Sequence, residues 1–457
     1  MGVYISTPFL ANACSRAGAL GTVSCVTAER ILARVLQSGD PHGHYRRALE
    51  HFPFPEIAER IIKTYFVADG IPADYKFKKL PAFSMQSRRD LIELTVAASF
   101  SFVWLAKEGH SGPISVNYLE KIQIPHIYHI TGAMLAGVDF VTMGAGITLQ
   151  IPGVLDAIAS RGIPSYRVIV EGSKNGTETI SFNPSTFFKT KFPELKRPEF
   201  LPIVSTDVLA SLMAKRLPAN SIQGFVVEKP TAGGHNAPPR KNGVFDETGQ
   251  PVYGQKDEVS FKNLASLSIP FWVGGSLASP EGLAEAQALG AVGIQAGSIF
   301  ALCDNSGMKS SYRNEMRRLG YCDKLVIRTD SKASPTGFPF KVVQLNGTQS
   351  DSTIYNERKR VCDLSALLVP YKRSDNKIGF RCSSEPINDY LRKGGKLEDA
   401  KEARCLCNGL FSAAGFGNPN ELPIFTMGDD VSFLSHLMRD ENDSYWAVDA
   451  IKYLLTE

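Results

Sequence analysis

Ala133-Met134-Leu135-Ala136-Gly137, followed by Val138-Asp139-Phe140-Val141-Thr142-Met143 and then Gly144-Ala145-Gly146, sets the grammar of this chain. Small and apolar side chains that stop at a glycine read as the end of a helix, because glycine accepts the left-handed conformation of a C-cap. The apolar run behind it reads as a strand, and the glycines that close it keep the strand end free of bulk.

The same order of helix, glycine, strand and small residues recurs on either side. Thr7-Pro8 opens a helix with a capping hydroxyl and a first-turn proline. Leu10, Ala13, Cys14 and Ala17 form its apolar stripe, Gly18 ends it, and Leu20 to Ser24 follows as a strand. Ser279-Pro280 opens another helix that runs to Gly290, before the strand-like Val292 to Ala296 and the turn Gly297-Ser298. Between these lie the apolar runs Pro113 to Tyr118, Phe200 to Val204, Gly224 to Val227 and Pro270 to Val273, alternating with helical patterns such as Val208, Leu209, Leu212 and Met213. Strands that alternate with helices imply a parallel sheet covered by helices. Small, polar or Gly-rich residues at nearly every strand end favour a (β/α)₈ TIM-type barrel over an open sheet, since barrel sites assemble there. The expected division is a barrel over 1–300, with a helical and loop insertion at 36–110 read as lying between a strand and its following helix, as a cap. An extension over 301–457 packs on the barrel.

Composition sets the outer limits. The chain has 457 residues, 43% of them hydrophobic and 21% charged, which is ordinary globular material. Fifty basic and 46 acidic side chains are well mixed and leave a net charge of +4, so no basic footprint for nucleic acid exists. No uninterrupted apolar run is long enough for a membrane span, and no secretory leader pattern opens the sequence. Eight cysteines without disulfide-scaffold spacing fit a reducing cytoplasm.

Three places can carry chemistry. In Val227-Glu228-Lys229-Pro230-Thr231-Ala232-Gly233-Gly234-His235-Asn236-Ala237-Pro238-Pro239 a strand ends and two glycines let the backbone approach a bound group. A histidine, which titrates near neutrality, follows on a loop stiffened by prolines. The competing reading is a Gly-rich turn with a surface histidine. Gly274-Gly275-Ser276 and Gln295-Ala296-Gly297-Ser298 close the last two strands of the repeat. The loops after the last two strands of such barrels commonly hold a phosphate on backbone N–H groups. Glycine that merely permits tight turns is the plainer alternative.

In order along residues 1–300, these motifs resemble the nitronate monooxygenase family and the related flavin-dependent enoyl reductases. Ala232-Gly233-Gly234-His235 behind a strand ending in Glu is similar to that family's Glu-Ala-Gly-Gly-His motif. Gly2-Val3 to Ser6 with Ala17-Gly18-Ala19-Leu20-Gly21 resembles its first helix, and Ala288-Leu289-Gly290-Ala291 with the two turns resembles its phosphate-binding end. Ser334-Pro335-Thr336-Gly337-Phe338-Pro339 looks like a longer bacterial subfamily. The resemblance implies one FMN across the barrel mouth. Its phosphate would lie on Gly274, Gly275, Ser276, Gly297 and Ser298, with Gln295, Ala232, Gly233 and Gly234 also binding the cofactor. Asn117 would stand near the ring, Met143 and Gly144 would line the same face, and His235 would handle a substrate proton. Two departures stand out. The family's barrel opens with a strand before the Met-Gly-Val loop, so the expectation is a first strand missing from this sequence, which begins after it. Lys229-Pro230-Thr231 is inserted before the Gly-Gly-His run, which shifts the fine placement of His235.

The implied activity is oxidation of an alkyl nitronate or similar small molecule with O₂. The alternatives are an NAD(P)H-dependent enoyl-thioester reductase, which would meet an acyl-carrier protein, and a non-catalytic FMN- or metal-binding protein. No membrane or nucleic-acid partner is expected, and a homodimer is left open. Cys362, Cys382, Cys405 and Cys407 could offer four thiolates to a metal, yet their spacing matches no zinc or ferredoxin pattern, and no metal ligand is assigned. His126 and His129 read as helix-capping or surface residues, His42 and His44 as loop residues, and Val431, Leu434 and Leu437 as a core stripe.

Overall fold

The computed structural model describes residues 1–72, 75–241 and 243–456. All seven strand candidates are strands: β1 (Gly21–Ser24), β2 (Ile114–Leu119) and β3 (Phe140–Gly144) come first. A hairpin of β4 (Ser165–Ile169) and β5 (Thr177–Ser181) interrupts them, and β6 (Glu199–Val204), β7 (Phe225–Glu228), β8 (Phe271–Gly274) and β9 (Gly293–Gln295) complete the set. The sheet is parallel, in the order β1-β2-β3-β6-β7-β8-β9. That order never reverses. Crossovers of one hand then put every connecting helix on one face, and the sheet must curl so that its other face is also enclosed. This is the winding of an α/β barrel. Among the described residues β1 and β9 are its two edges.

Register sorts the side chains between the faces, since successive residues alternate. Val23, Val116, Tyr118, Val141, Phe225 and Phe271 are buried beneath the helices. The opposite, inner face carries Ser24, Ser115, Asn117, Thr142, Glu228 and Gln295. On the same face Leu201 is level with Thr142, and a Cβ on Gly224 would fall 2.5 Å from the Trp272 ring. An inner face that mixes polar with apolar side chains explains why these strands alternate instead of being apolar throughout.

The segment 36–110 does not separate a strand from its helix. The helix Ala28–Gln37 follows β1 directly, and two short helices lead to Arg89–Lys107, which belongs to the outer layer against the helix His126–Leu135. His126 and His129 are buried in that layer, not at the surface. His129 Nε2 stands 3.1 Å from the Glu29 carboxylate and its Nδ1 2.7 Å from Ser99 Oγ. Burial pushes His126 down to about 3, so it sits neutral against the Glu120 carbonyl. His44 opens the helix His44–Glu50 and lies against Phe9.

Beyond residue 300 come two more hairpins, β10 (Val326–Asp330) with β11 (Phe340–Gln344), and β12 (Val369–Lys372) with β13 (Ile378–Arg381). One buried cluster joins Leu10 and Cys14 of the first helix to Ile299, Phe425, Leu434 and Tyr445, so the extension shares a core with the barrel. No helix among the described residues is long and apolar enough to cross a membrane.

Candidate active site at the strand-end rim

Parallel strands bring all their C-terminal ends to one rim. Pairing of Glu228 with Gly274, and of Gly274 with Gln295, sets the loops after β7, β8 and β9 side by side. Gly274 to Ser276 and Gln295 to Ser298 therefore meet, as their order along the chain required. Gly275 has φ +113°, and a Cβ there would lie 2.8 Å from Thr231 Oγ1 and 3.0 Å from Ala232 N. Only glycine fits that approach. Thr231 Oγ1 is itself buried with no hydrogen-bond partner among the described residues. Gly275 thus lets its loop close on the loop after β7, and the orphaned Thr231 hydroxyl beside it fits a bound group rich in hydrogen-bonding oxygens, which is the character of a phosphate.

The extension closes over the same loops. Gly234 N–H donates to Thr426 Oγ1 at 2.8 Å, Gly428 N–H donates to Ser298 Oγ at 2.9 Å, and Asp429 N–H donates to the Thr231 carbonyl at 3.0 Å. A Cβ on Gly233 would strike the Met427 backbone at 2.6 Å, so that glycine serves chain-to-chain approach. Lys341 Nζ fixes Asp429 at 2.6 Å from β11.

His235 is held by the extension as well. Its Nε2 lies 2.7 Å from Ser334 Oγ, which is 2.8 Å from Thr336 Oγ1, and its ring meets Phe340 edge-on. Loss of water around the half-buried ring, with the Lys121 charge behind it, pushes its pKa down to about 4. At neutral pH this imidazole is uncharged, a hydrogen-bonding group and weak base instead of an acid. Lys121 itself lies over the Phe338 ring at 4.4 Å.

Of the other expected residues, Asn117 reaches the inner face, where its amide donates to the Thr142 carbonyl at 3.2 Å. Gly144 also faces inward, against Ile203. Met143 does not join them. It pairs with Tyr118, whose ring lies 5.7 Å from His129, so the Met143 side chain shares the buried helix-side face. Glu228 is a rim residue that the motif reading left unassigned. Its carboxyl is on the inner face, and burial pushes it up to about 7. The signal was a carboxylate directly after the apolar Phe225–Val227. Ser334, Thr426 and Gly428 could not have been found from local sequence, since long-range packing alone brings them to the rim.

No protein-family model matches the sequence, and no curated protein matches it. Among solved structures, a FabK variant from Thermotoga maritima is 15% identical, with 99% of this chain and 89% of that chain covered and a TM-score of 0.43. A nitroalkane oxidase from Streptomyces ansochromogenes is 13% identical over 99% of this chain and 92% of its own, with a TM-score of 0.42. The enoyl reductase domain of MlnA from Bacillus amyloliquefaciens is 14% identical over 57% and 56%, with a TM-score of 0.32.

Proposed function

We propose that this chain is an FMN-dependent oxidoreductase acting on a small anionic, carbanion-like substrate such as an alkyl nitronate, with O₂ as electron acceptor. The observation that carries the reading is the buried, unpartnered Thr231 hydroxyl where the glycine turns after β8 and β9 meet. Gly274, Gly275, Ser276, Gln295, Gly297 and Ser298 would hold the phosphate, Ala232 to Gly234 would border it, and Asn117 would stand toward the ring. When bound, the flavin supplies the electron transfer, and the protein supplies geometry and electrostatics.

His235 starts neutral in this scheme. Its bond to Ser334 fixes the ring plane, so it can orient a substrate, or accept a proton from it and become an imidazolium. The Lys121 charge near the ring suits an anionic group on the substrate.

The test is the absorption spectrum of the purified protein, with identification of the chromophore released on denaturation. Flavin bands and released FMN are expected, followed by nitronate-dependent O₂ consumption that is lost in His235→Ala. NAD(P)H oxidation that responds to an enoyl thioester and not to a nitronate would replace this substrate class with the reductase alternative. A colourless protein that fails to take up added FMN would overturn the flavin reading.

A further inference from the structure

The turn of the extension that holds His235 is built around one buried hydroxyl. Ser334 Oγ touches three groups: His235 Nε2 at 2.7 Å, Thr336 Oγ1 at 2.8 Å, and the Thr336 N–H, which donates to it at 3.2 Å. A serine hydroxyl has one hydrogen to give and two lone pairs. The Thr336 N–H takes one lone pair, so one hydrogen and one lone pair remain for the His235 ring and the Thr336 hydroxyl. Ser334 must therefore donate to one of them and accept from the other.

Two arrangements satisfy this, and they differ in what the ring can do. In the first, Nε2–H donates to Ser334 and Ser334 donates to Thr336, so Nδ1 carries the free lone pair. In the second, Thr336 donates to Ser334 and Ser334 donates to Nε2, so the ring proton sits on Nδ1. Only the first leaves a base at Nδ1, the ring nitrogen with no hydrogen-bond partner among the described residues. The charge that faces the ring is Lys121, at the end of β2, which lies over Phe338 of the same turn. Burial and that charge leave the ring a weak base, at about 4, so a proton taken near neutrality has to be passed on. Thr336, at the far end of the two hydroxyls, is partly exposed to water.

We propose that Ser334 and Thr336 form a hydroxyl relay that keeps the His235 proton on Nε2 and carries a substrate proton from Nδ1 to water. The substrate class then includes the neutral carbon acid, a nitroalkane, and not only its preformed nitronate. That substrate rests on the flavin reading, whereas the relay does not. In the step, the substrate C–H bond breaks, its electron pair stays on carbon and spreads to the nitro oxygens, and the proton bonds to Nδ1. Nε2 gives its hydrogen to Ser334, Ser334 gives its own to Thr336, and Thr336 gives its own to water. The ring is left neutral with a proton on Nδ1. Water in the vacated site takes that proton while water at Thr336 returns one, which resets the chain. Ser334 and Thr336 act through His235 and are positioning residues.

Thr336→Val tests the relay, because it removes one hydroxyl at nearly constant volume and leaves the contact of His235 with Ser334 in place. The Ser334 hydrogen then has only Nε2 to reach, and the ring proton is driven to Nδ1. Nitrogen-15 spectra of histidine-labelled protein report the tautomer, with the His235 signals identified by their loss in His235→Gln. The Nε2–H form is expected in the wild type, the Nδ1–H form in Thr336→Val, and the Nε2–H form again in Thr336→Ser. A wild-type ring protonated on Nδ1, or a ring that Thr336→Val leaves unchanged, overturns the relay. These spectra need no flavin, so a failure of the flavin reading shows separately, as a chain that takes up no FMN. In the FMN-loaded enzyme, turnover of a nitroalkane relative to its nitronate is expected to fall about tenfold or more in Thr336→Val. An unchanged ratio overturns the proton transfer, and wild-type turnover of the nitronate alone overturns the carbon-acid substrate.

Discussion

Gly275 and Glu228 stand at two adjacent strand ends, and each makes its own demand on chemistry. At Gly275 a methyl group would meet Thr231 Oγ1 and the Lys229 Cβ, at a backbone angle that L-residues avoid. Gly275→Ala is therefore expected to weaken FMN binding by about tenfold or more, ~1.4 kcal/mol, while the far-ultraviolet circular dichroism stays unchanged. An unaltered dissociation constant in a fluorescence titration would remove this turn from the cofactor site. Glu228 governs a pH effect. Its pKa is raised to about 7 from 4.5, so between those values the folded state holds the proton more firmly than the unfolded state. Stability is then fullest below about pH 4.5, falls as pH rises, and is lower by up to ~3 kcal/mol above about pH 7. Glu228→Gln is expected to flatten that decline in denaturant titrations run from pH 5 to 8. A wild-type profile that is already flat would mean the carboxyl is solvated.

The repeat of helix, glycine and strand was legible at the level of elements because alternation and caps are local properties. All seven strands lie where their apolar runs and glycine ends placed them. What the pattern did not show is how the helices meet. His126 and His129 looked like surface residues because two polar rings three apart suit an exposed face, but Glu29 and Ser99 supply buried partners from distant segments. The helices Arg89–Lys107 and His126–Leu135 cross at Gly132, where a Cβ would fall 2.1 Å from the Val96 carbonyl oxygen. Gly132→Ala is thus expected to cost roughly 3 kcal/mol by forcing apart two buried helices. Urea unfolding measures it, and a loss under ~0.5 kcal/mol would show that the crossing is loose.

In the whole molecule, the barrel and the extension are one body at the rim and in the core. Leu10 and Cys14 pack with Phe425 and Tyr445, and the loop of residues 231–235 makes backbone hydrogen bonds with Lys341 of β11 and with Asp429. Shared apolar surface couples their unfolding. Calorimetry is expected to give a single cooperative transition, with calorimetric and van't Hoff enthalpies in agreement. Two resolved transitions would show the extension to be an independent domain.

By itself the sequence determined the alternation of strands and helices and the positions of the glycine turns after β8 and β9 and of the Gly-Gly-His loop. These follow from periodicity, glycine and chain order, which act over a few residues. The tertiary structure alone decided which face each strand residue serves, which is why Met143 lies on the helix side and Glu228 on the inner face. It also brought Ser334, Thr426 and Gly428 to the rim from 99, 192 and 130 residues away in sequence from their partners. Register and long-range packing are set by the burial of the whole core, and no local window of sequence contains that information.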